Sequence, residues 1–101
     1  MRAATAEVIA HFNSASNFKK GNTQVKVLPN VTVLKLFGNE IAYKYNDPQN
    51  TLSITTAGYK TNITKEHLNG LSNVSINQSK GIWYLNGVEW NGELIDIKIN
   101  K

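Results

Sequence analysis

The sequence predicts an α+β fold: a mostly antiparallel sheet of seven or eight short strands, with an N-terminal helix and a short second helix. Three observations carry that reading. Apolar residues recur at helical spacing near the N-terminus, short alternating runs separated by two-residue turn signals fill most of the remainder, and the alternation breaks between Thr56 and Ser72. A sheet with one apolar face must cover it, and the covers available are the two helices or a second sheet layer.

Taken in order, Ala4, Val8, Ile9 and Phe12 place a short amphipathic helix over residues 3–13, with Glu7 in its first turn complementing the helix dipole. Residues 14–22 are Ser, Asn, Lys and Gly with one Phe18, a loop composition in which Phe18 pins the chain to the core. A β meander over residues 23–55 follows. Its runs Thr23–Leu28, Val31–Phe37 and Glu40–Tyr45 are separated by Pro29-Asn30 and Gly38-Asn39. If Gly38-Asn39 closes the second hairpin, Leu34 faces Tyr43 and Leu36 faces Ile41 on one side, and Val33, Lys35 and Lys44 lie on the other. Residues 46–50 form a loop, and Thr51–Thr55 is a fourth strand.

The segment 64–70 reads as the second helix, with Thr64 as N-cap, Gly70 as C-cap glycine, and Leu68 and Leu71 anchoring it inward. C-terminal hairpins then occupy residues 73–100. Val74 and Ile76 alternate with Ser75 and Asn77, and Ser79-Lys80-Gly81 turns the chain into Ile82–Leu85. Asn86-Gly87 is the strongest turn signal in the chain, because a type I′ turn needs φ > 0 at both central residues. That register pairs Leu85 with Val88 and Trp83 with Trp90, leaving Tyr84 and Glu89 on the other face. Asn91-Gly92 would return the chain once more, setting Ile95 beside Val88 and continuing the apolar face through Ile97 and Ile99.

The length of 101 residues suits a single domain, 1–101, with one core and no room for a separate catalytic domain. Zero Cys excludes disulfides, thiolate metal sites and a cysteine nucleophile. Residues 1–10 are too short an apolar run for a signal peptide, and nothing approaches the ~18 apolar residues of a membrane span, so a cytosolic protein is expected. Fourteen Asn and ten Lys against one Arg suggest an AT-rich genome, which lowers the weight of any single Asn, including the sequons at Asn30, Asn62, Asn73 and Asn77. The net charge of +4 favours anionic partners, but the lysines are scattered.

Catalysis needs convergent titratable groups, and the chain has two His, two Asp and five Glu, with no nucleophile motif around them. His11 reads as a helix-surface residue. His67 beside Glu66 could act as a general base, which makes a hydrolase the weakest of the readings. Metal-ligand spacing and nucleotide-cradling glycine loops are both missing, so no metal, cofactor or enzymatic activity is expected. One segment stands out. Tyr59, Lys60, Thr61, Asn62, Thr64 and Lys65 lead into a helix N-terminus, where backbone N–H groups, hydroxyls and ammonium groups could hold a phosphate while Tyr59 stacks on a base. An ordinary N-cap with a solvated lysine pair is the competing reading. Trp83 and Trp90 read as core, and Tyr84 as the exposed aromatic of the hairpin.

The stretch from Thr51 to Gly92 resembles a small family common in bacteriophage genomes. The shared pattern is a strand ending in Ala57-Gly58-Tyr59, a Thr-rich lead-in through Thr61 and Thr64 to Lys65, Glu66, Leu68 and Asn69, and Gly81-x-Trp83-Tyr84-Leu85-Asn86-Gly87 with Trp90 and Gly92 downstream. Tyr59 stands where Trp is usual, Ile63 where Thr is common and His67 where Arg is common, which removes a donor and a cation from the anion site. The resemblance transfers no activity. It does imply a phage accessory protein acting in the host cytoplasm, and small phage proteins of this kind are often stoichiometric inhibitors of a host defence or host process. The expected partner is a host protein or a small anionic, nucleotide-like ligand, met by Tyr59, Lys60, Thr61, Asn62, Thr64, Lys65, His67 and Tyr84. The alternative is a nucleic-acid-binding module presenting Tyr59, Lys60, Lys65 and Tyr84 on one surface, with oligomeric state left open.

Overall fold

The computed structural model describes residues 3–48 and 51–97. Their order is α1 (Ala3–Asn13), β1 (Phe18–Lys20), β2 (Thr23–Val27), β3 (Val31–Leu36), β4 (Asn39–Tyr45), β5 (Leu52–Ile54), α2 (Asn62–Asn69), β6 (Ile76–Ser79), β7 (Ile82–Leu85), β8 (Val88–Glu89) and β9 (Ile95–Ile97). The α+β class holds, with every described strand pair antiparallel. The strands divide into two sheets: six in the order β1-β2-β3-β4-β5-β9, and three in the order β6-β7-β8. Val8, Phe12, Val25, Leu34, Ile41, Ile54, Leu68, Trp83 and Trp90 share one core cluster that joins both helices to both sheets.

Helix α1 buries Val8, Ile9 and Phe12, as their spacing requires. Thr5 is buried with them where Ala4 was expected, and its hydroxyl donates to Glu66 Oε2 at 3.0 Å. Glu7 lies beyond the first turn and instead meets Lys20 at 3.4 Å in an exposed ion pair, an interaction worth about 0.5 kcal/mol. The expected loop at 14–22 contains a strand. Phe18 packs on the core and stacks against His11 at 4.3 Å, which brings the backbone of β1 alongside β2 in the pairs Phe18↔Val25 and Lys20↔Thr23. Composition missed it because the pairing is made by backbone groups, to which side-chain polarity is indifferent.

The β3–β4 hairpin closes one residue earlier than Gly38-Asn39 predicts. Phe37 and Gly38 occupy the two central turn positions, at φ 52° and 79°, and Leu36 pairs with Asn39. A β-bulge between Leu34 and Lys35 then shifts the pairing, so that Leu34 faces Ala42 and Val33 faces Tyr43. Because successive side chains alternate, the slip exchanges faces: Lys44, expected outside, reaches α1, and Tyr43, expected inside, points outward. Lys44 Nζ donates to Asn13 O at 2.7 Å and sits 5.9 Å from the centre of the Phe12 ring. Ile41, the extra residue, is buried together with Ala42.

The Asn86-Gly87 hairpin forms as expected, with φ 50° and 87°, Leu85 opposite Val88, and the Trp90 N–H donating to Trp83 O at 3.0 Å. The third strand of that face does not. Strand β9 crosses to the six-stranded sheet and pairs with β5, Leu52↔Ile97 and Ile54↔Ile95, while Val88 remains 70% exposed. Gly92 diverts the chain: its carbonyl accepts from the Thr56 N–H at 3.0 Å, Thr55 Oγ1 at 3.0 Å and Thr56 Oγ1 at 3.3 Å. Those bonds dock the segment beside β5, whose open edge offers a full ladder. The expected extension through Ile99, and part of the 46–50 loop, lie outside the described residues.

Candidate functional site

The chain approaching α2 is stiffened by its own hydrogen bonds. Ala57 and Gly58 both take left-handed conformations, at φ 55° and 88°, and the Tyr59 N–H closes the turn on Thr56 O at 2.9 Å. The Thr61 N–H then donates to Tyr59 O at 3.1 Å. Helix α2 starts at Asn62, earlier than predicted, because Thr61 is the N-cap and Thr64 is not. Thr61 Oγ1 accepts the Thr64 N–H at 3.2 Å and lies 3.0 Å from Thr64 Oγ1, while Thr61 O accepts the Lys65 N–H at 3.0 Å. Thr64 is therefore a buried third-position residue of the helix. Gly70 is the C-cap but in a right-handed conformation, φ −77°, so its carbon-free side is not what ends the helix.

This lead-in faces the β3–β4 hairpin across a cleft of about 430 Å³. Leu36, Phe37, Asn39 and Ile41 line one wall, and Thr56, Tyr59, Thr61, Ile63 and Thr64 line the other. Leu36 and Ile41 are buried and form the floor, whereas Phe37 and Tyr59 are each 56% exposed at the rim. The threonine hydroxyls are engaged within the protein, Thr64 with Thr61 and Thr56 with Gly92 O. Among the described residues no Asp, Glu, His, Lys or Arg lines this cleft. Its chemistry is that of a mostly apolar slot edged by two aromatic rings, of a size found in ligand and side-chain pockets, which run roughly 300–1,000 Å³.

The residues singled out from sequence separate into three groups. Tyr59, Thr61 and Thr64 line the cleft. Lys60 and Asn62 are exposed beside it. Lys65 turns the other way: its Nζ donates to Gln78 Oε1 at 3.0 Å and lies 5.7 Å from the centre of the Trp83 ring. His67 is buried in α2 and its Nδ1 donates to Ile63 O at 2.8 Å, and the adjacent Glu66 holds Thr5. Tyr84 alternates with Trp83 on β7 and so points away from the face that Lys65 covers. Lys65 and Tyr84, two members of the expected basic and aromatic surface, therefore lie on opposite faces of β7.

Phe37 is the residue that sequence reading missed. A bulky side chain in the left-handed region is uncommon, and this one is neither buried nor replaced by the Asn or Gly that such a turn favours. The signal was the Phe-Gly pair between two alternating runs, which can supply both central residues of a turn.

These features define a small two-sheet α+β protein whose two exposed aromatics frame a preformed cleft. A family model described as Kyanoviridae Gp96 protein matches residues 1–97, and the chain belongs to that phage family. Comparison with curated proteins gives no match, and comparison with solved structures gives none either. No helix among the described residues is long and apolar enough to cross a membrane.

Proposed function

We propose that this phage protein acts in the host cytoplasm as a non-enzymatic, stoichiometric inhibitor of a host defence or host process, and that it does so by seating an apolar segment of a host protein in the Phe37–Tyr59 cleft. The observation that carries the reading is the cleft itself: two aromatic rings stand exposed over a buried Leu36–Ile41 floor. Exposed aromatics around a desolvated pocket are the usual anchors of protein recognition. Among the described residues no cationic side chain lines the cleft, which favours a protein side chain over a small anionic ligand, whose charge would find no partner there.

The test is a titration of the captured host target with the wild-type protein and with Phe37→Ala/Tyr59→Ala. The wild type should saturate at a fixed molar ratio, and the double variant should weaken binding by about 2–3 kcal/mol while keeping its circular dichroism. Full inhibition at a small fraction of the target concentration would show turnover and sink the reading. Undiminished binding by the double variant would move the contact elsewhere.

A further inference from the structure

The face of the six-stranded sheet turned away from α1 carries a second set of side chains, which meets the cleft only at Phe37, a neighbour of Lys19 and Lys35. Alternation puts Phe18, Val25, Leu34, Leu36 and Ala42 toward the core. It leaves Lys19, Lys26, Lys35, Val33, Tyr43 and Tyr45 on the opposite side. Register arranges these in rows: Lys19 beside Gln24 beside Lys35, then Lys26 beside Val33 beside Tyr43, with Tyr45 one step further along β4. Val33 is 3% exposed yet does not belong to the core cluster, so the neighbouring side chains of its own face cover it.

The Tyr43 and Tyr45 rings stack with centres 6.4 Å apart and planes 21° apart, and Tyr45 is 38% exposed. Two acids share this face, Glu40 as the register partner of Lys35, and each accepts a hydrogen bond from a neutral hydroxyl while keeping its charge. Glu40 accepts the Tyr43 hydroxyl at 2.8 Å, and Asp96, on the far strand β9, accepts from Ser53 Oγ. The three lysines make no ion pair with a described residue. Sheet geometry sets the Cα atoms of Lys26 and Lys35 about 8 Å apart on adjacent strands, close enough to follow one phosphate backbone.

We propose that this face is a platform for single-stranded nucleic acid, with Tyr43 and Tyr45 stacking on bases and Lys19, Lys26 and Lys35 meeting the phosphates. An open sheet with aromatic rings suits unpaired bases, because a duplex hides its base faces. Three lysines against two acids leave the face with a net positive charge, which complements a phosphate backbone and sets like charge against like in a second copy of the chain.

Fluorescence anisotropy with labelled oligo-dT and oligo-rU of about 15 nucleotides, and with a duplex of equal length, tests the proposal. At about 50 mM salt the single strands should bind, with affinity falling by a log–log slope of roughly 2 for three phosphate contacts. Lys26→Ala/Lys35→Ala should lower that slope by about 1.4. Tyr45→Ala should weaken binding about tenfold and leave the slope unchanged. Tyr59→Ala should bind as the wild type does, because Tyr59 lines the cleft and not this face, which keeps this proposal separable from the cleft. No binding at low salt, duplex bound as tightly as single strand, or binding insensitive to both the lysine and the tyrosine changes would overturn it.

Discussion

The turns Asn86-Gly87 and Phe37-Gly38 share one backbone geometry and differ in the residue that adopts it. Their first central residues sit at φ 50° and 52°, and their glycines at 87° and 79°. Asn86 suits the position and is also held by its side chain: its Oδ1 accepts the Ser75 N–H at 2.9 Å and its Nδ2 donates to Asn73 O at 3.0 Å. The left-handed conformation costs a residue such as Phe37 roughly 1–2 kcal/mol, and its ring, more than half exposed, withholds much of the burial that would offset that cost. Lys80 also sits at positive φ, 53°, so the conformation by itself is not diagnostic. What separates Phe37 is an exposed aromatic ring at the edge of a cleft. The Asn86 turn is built for folding, and the Phe37 turn gives up some stability to present a side chain.

The largest effect is expected at the junction between the two sheets, where neither kind of turn residue would serve. Gly38 and Gly87 face open space, so an alanine at either should cost only the conformational strain, roughly 1–2 kcal/mol. At Gly92, φ is 94° and an added Cβ would collide with the Thr56 side chain that also bonds its carbonyl. Gly92→Ala should therefore lower stability by about 3 kcal/mol or more, read as a shift in denaturant midpoint. Equal midpoints for the three glycine variants would show that β9 is not held at this junction.

Next in size is Asn86→Ala, which removes two side-chain hydrogen bonds and the residue best suited to positive φ. A loss of about 2 kcal/mol is expected in the same measurement. Phe37→Asn should act in the opposite direction, raising stability by up to about 1 kcal/mol while weakening the binding proposed for the cleft. A destabilised Phe37→Asn would mean that the ring supports the fold, and the contrast between the two turns would be lost.

The smallest effect is alkaline. Burial, followed by the hydrogen bond to Glu40 and its charge, raises the Tyr43 hydroxyl from its ordinary value of 10.0 to about 12. The folded state holds this proton more tightly than the unfolded chain, so the contribution is complete below pH 10 and lost as pH climbs toward 12. Tyr43→Phe should flatten the fall in thermal midpoint between those values relative to the wild type. An identical slope in both proteins would show that Tyr43 is not coupled to folding.

The asparagines also distinguish the two levels of description. Their abundance made each look uninformative, yet Asn69 Oδ1 accepts the Ile76 N–H at 2.6 Å and its Nδ2 donates to Ile76 O at 3.1 Å, tying α2 to β6. Asn17 Oδ1 likewise accepts the Val27 N–H at 2.9 Å. Composition cannot separate these clasps from solvated asparagines, because the distinction lies in which backbone arrives beside them. At the candidate site the nearness of Tyr59, Thr61 and Thr64 was legible because it is local, although the cap is Thr61 and not the expected Thr64. Phe37, Leu36 and Ile41 were not, because the opposite wall of the cleft comes from a hairpin some 20 residues earlier in the chain.

By itself the sequence determined what short-range physics controls: helix α1 from its apolar spacing, the Asn86-Gly87 turn from its need for two positive φ values, the buried tryptophans from strand alternation, and the α+β class. Tertiary structure alone decided the bulge that moved Lys44 inward and Tyr43 outward, the pairing of β9 with β5, and the meeting of Phe37 with Tyr59. Backbone ladders are indifferent to side-chain identity, so which edge a strand joins is settled by which docking leaves the fewest polar groups unpaired and the most apolar surface covered.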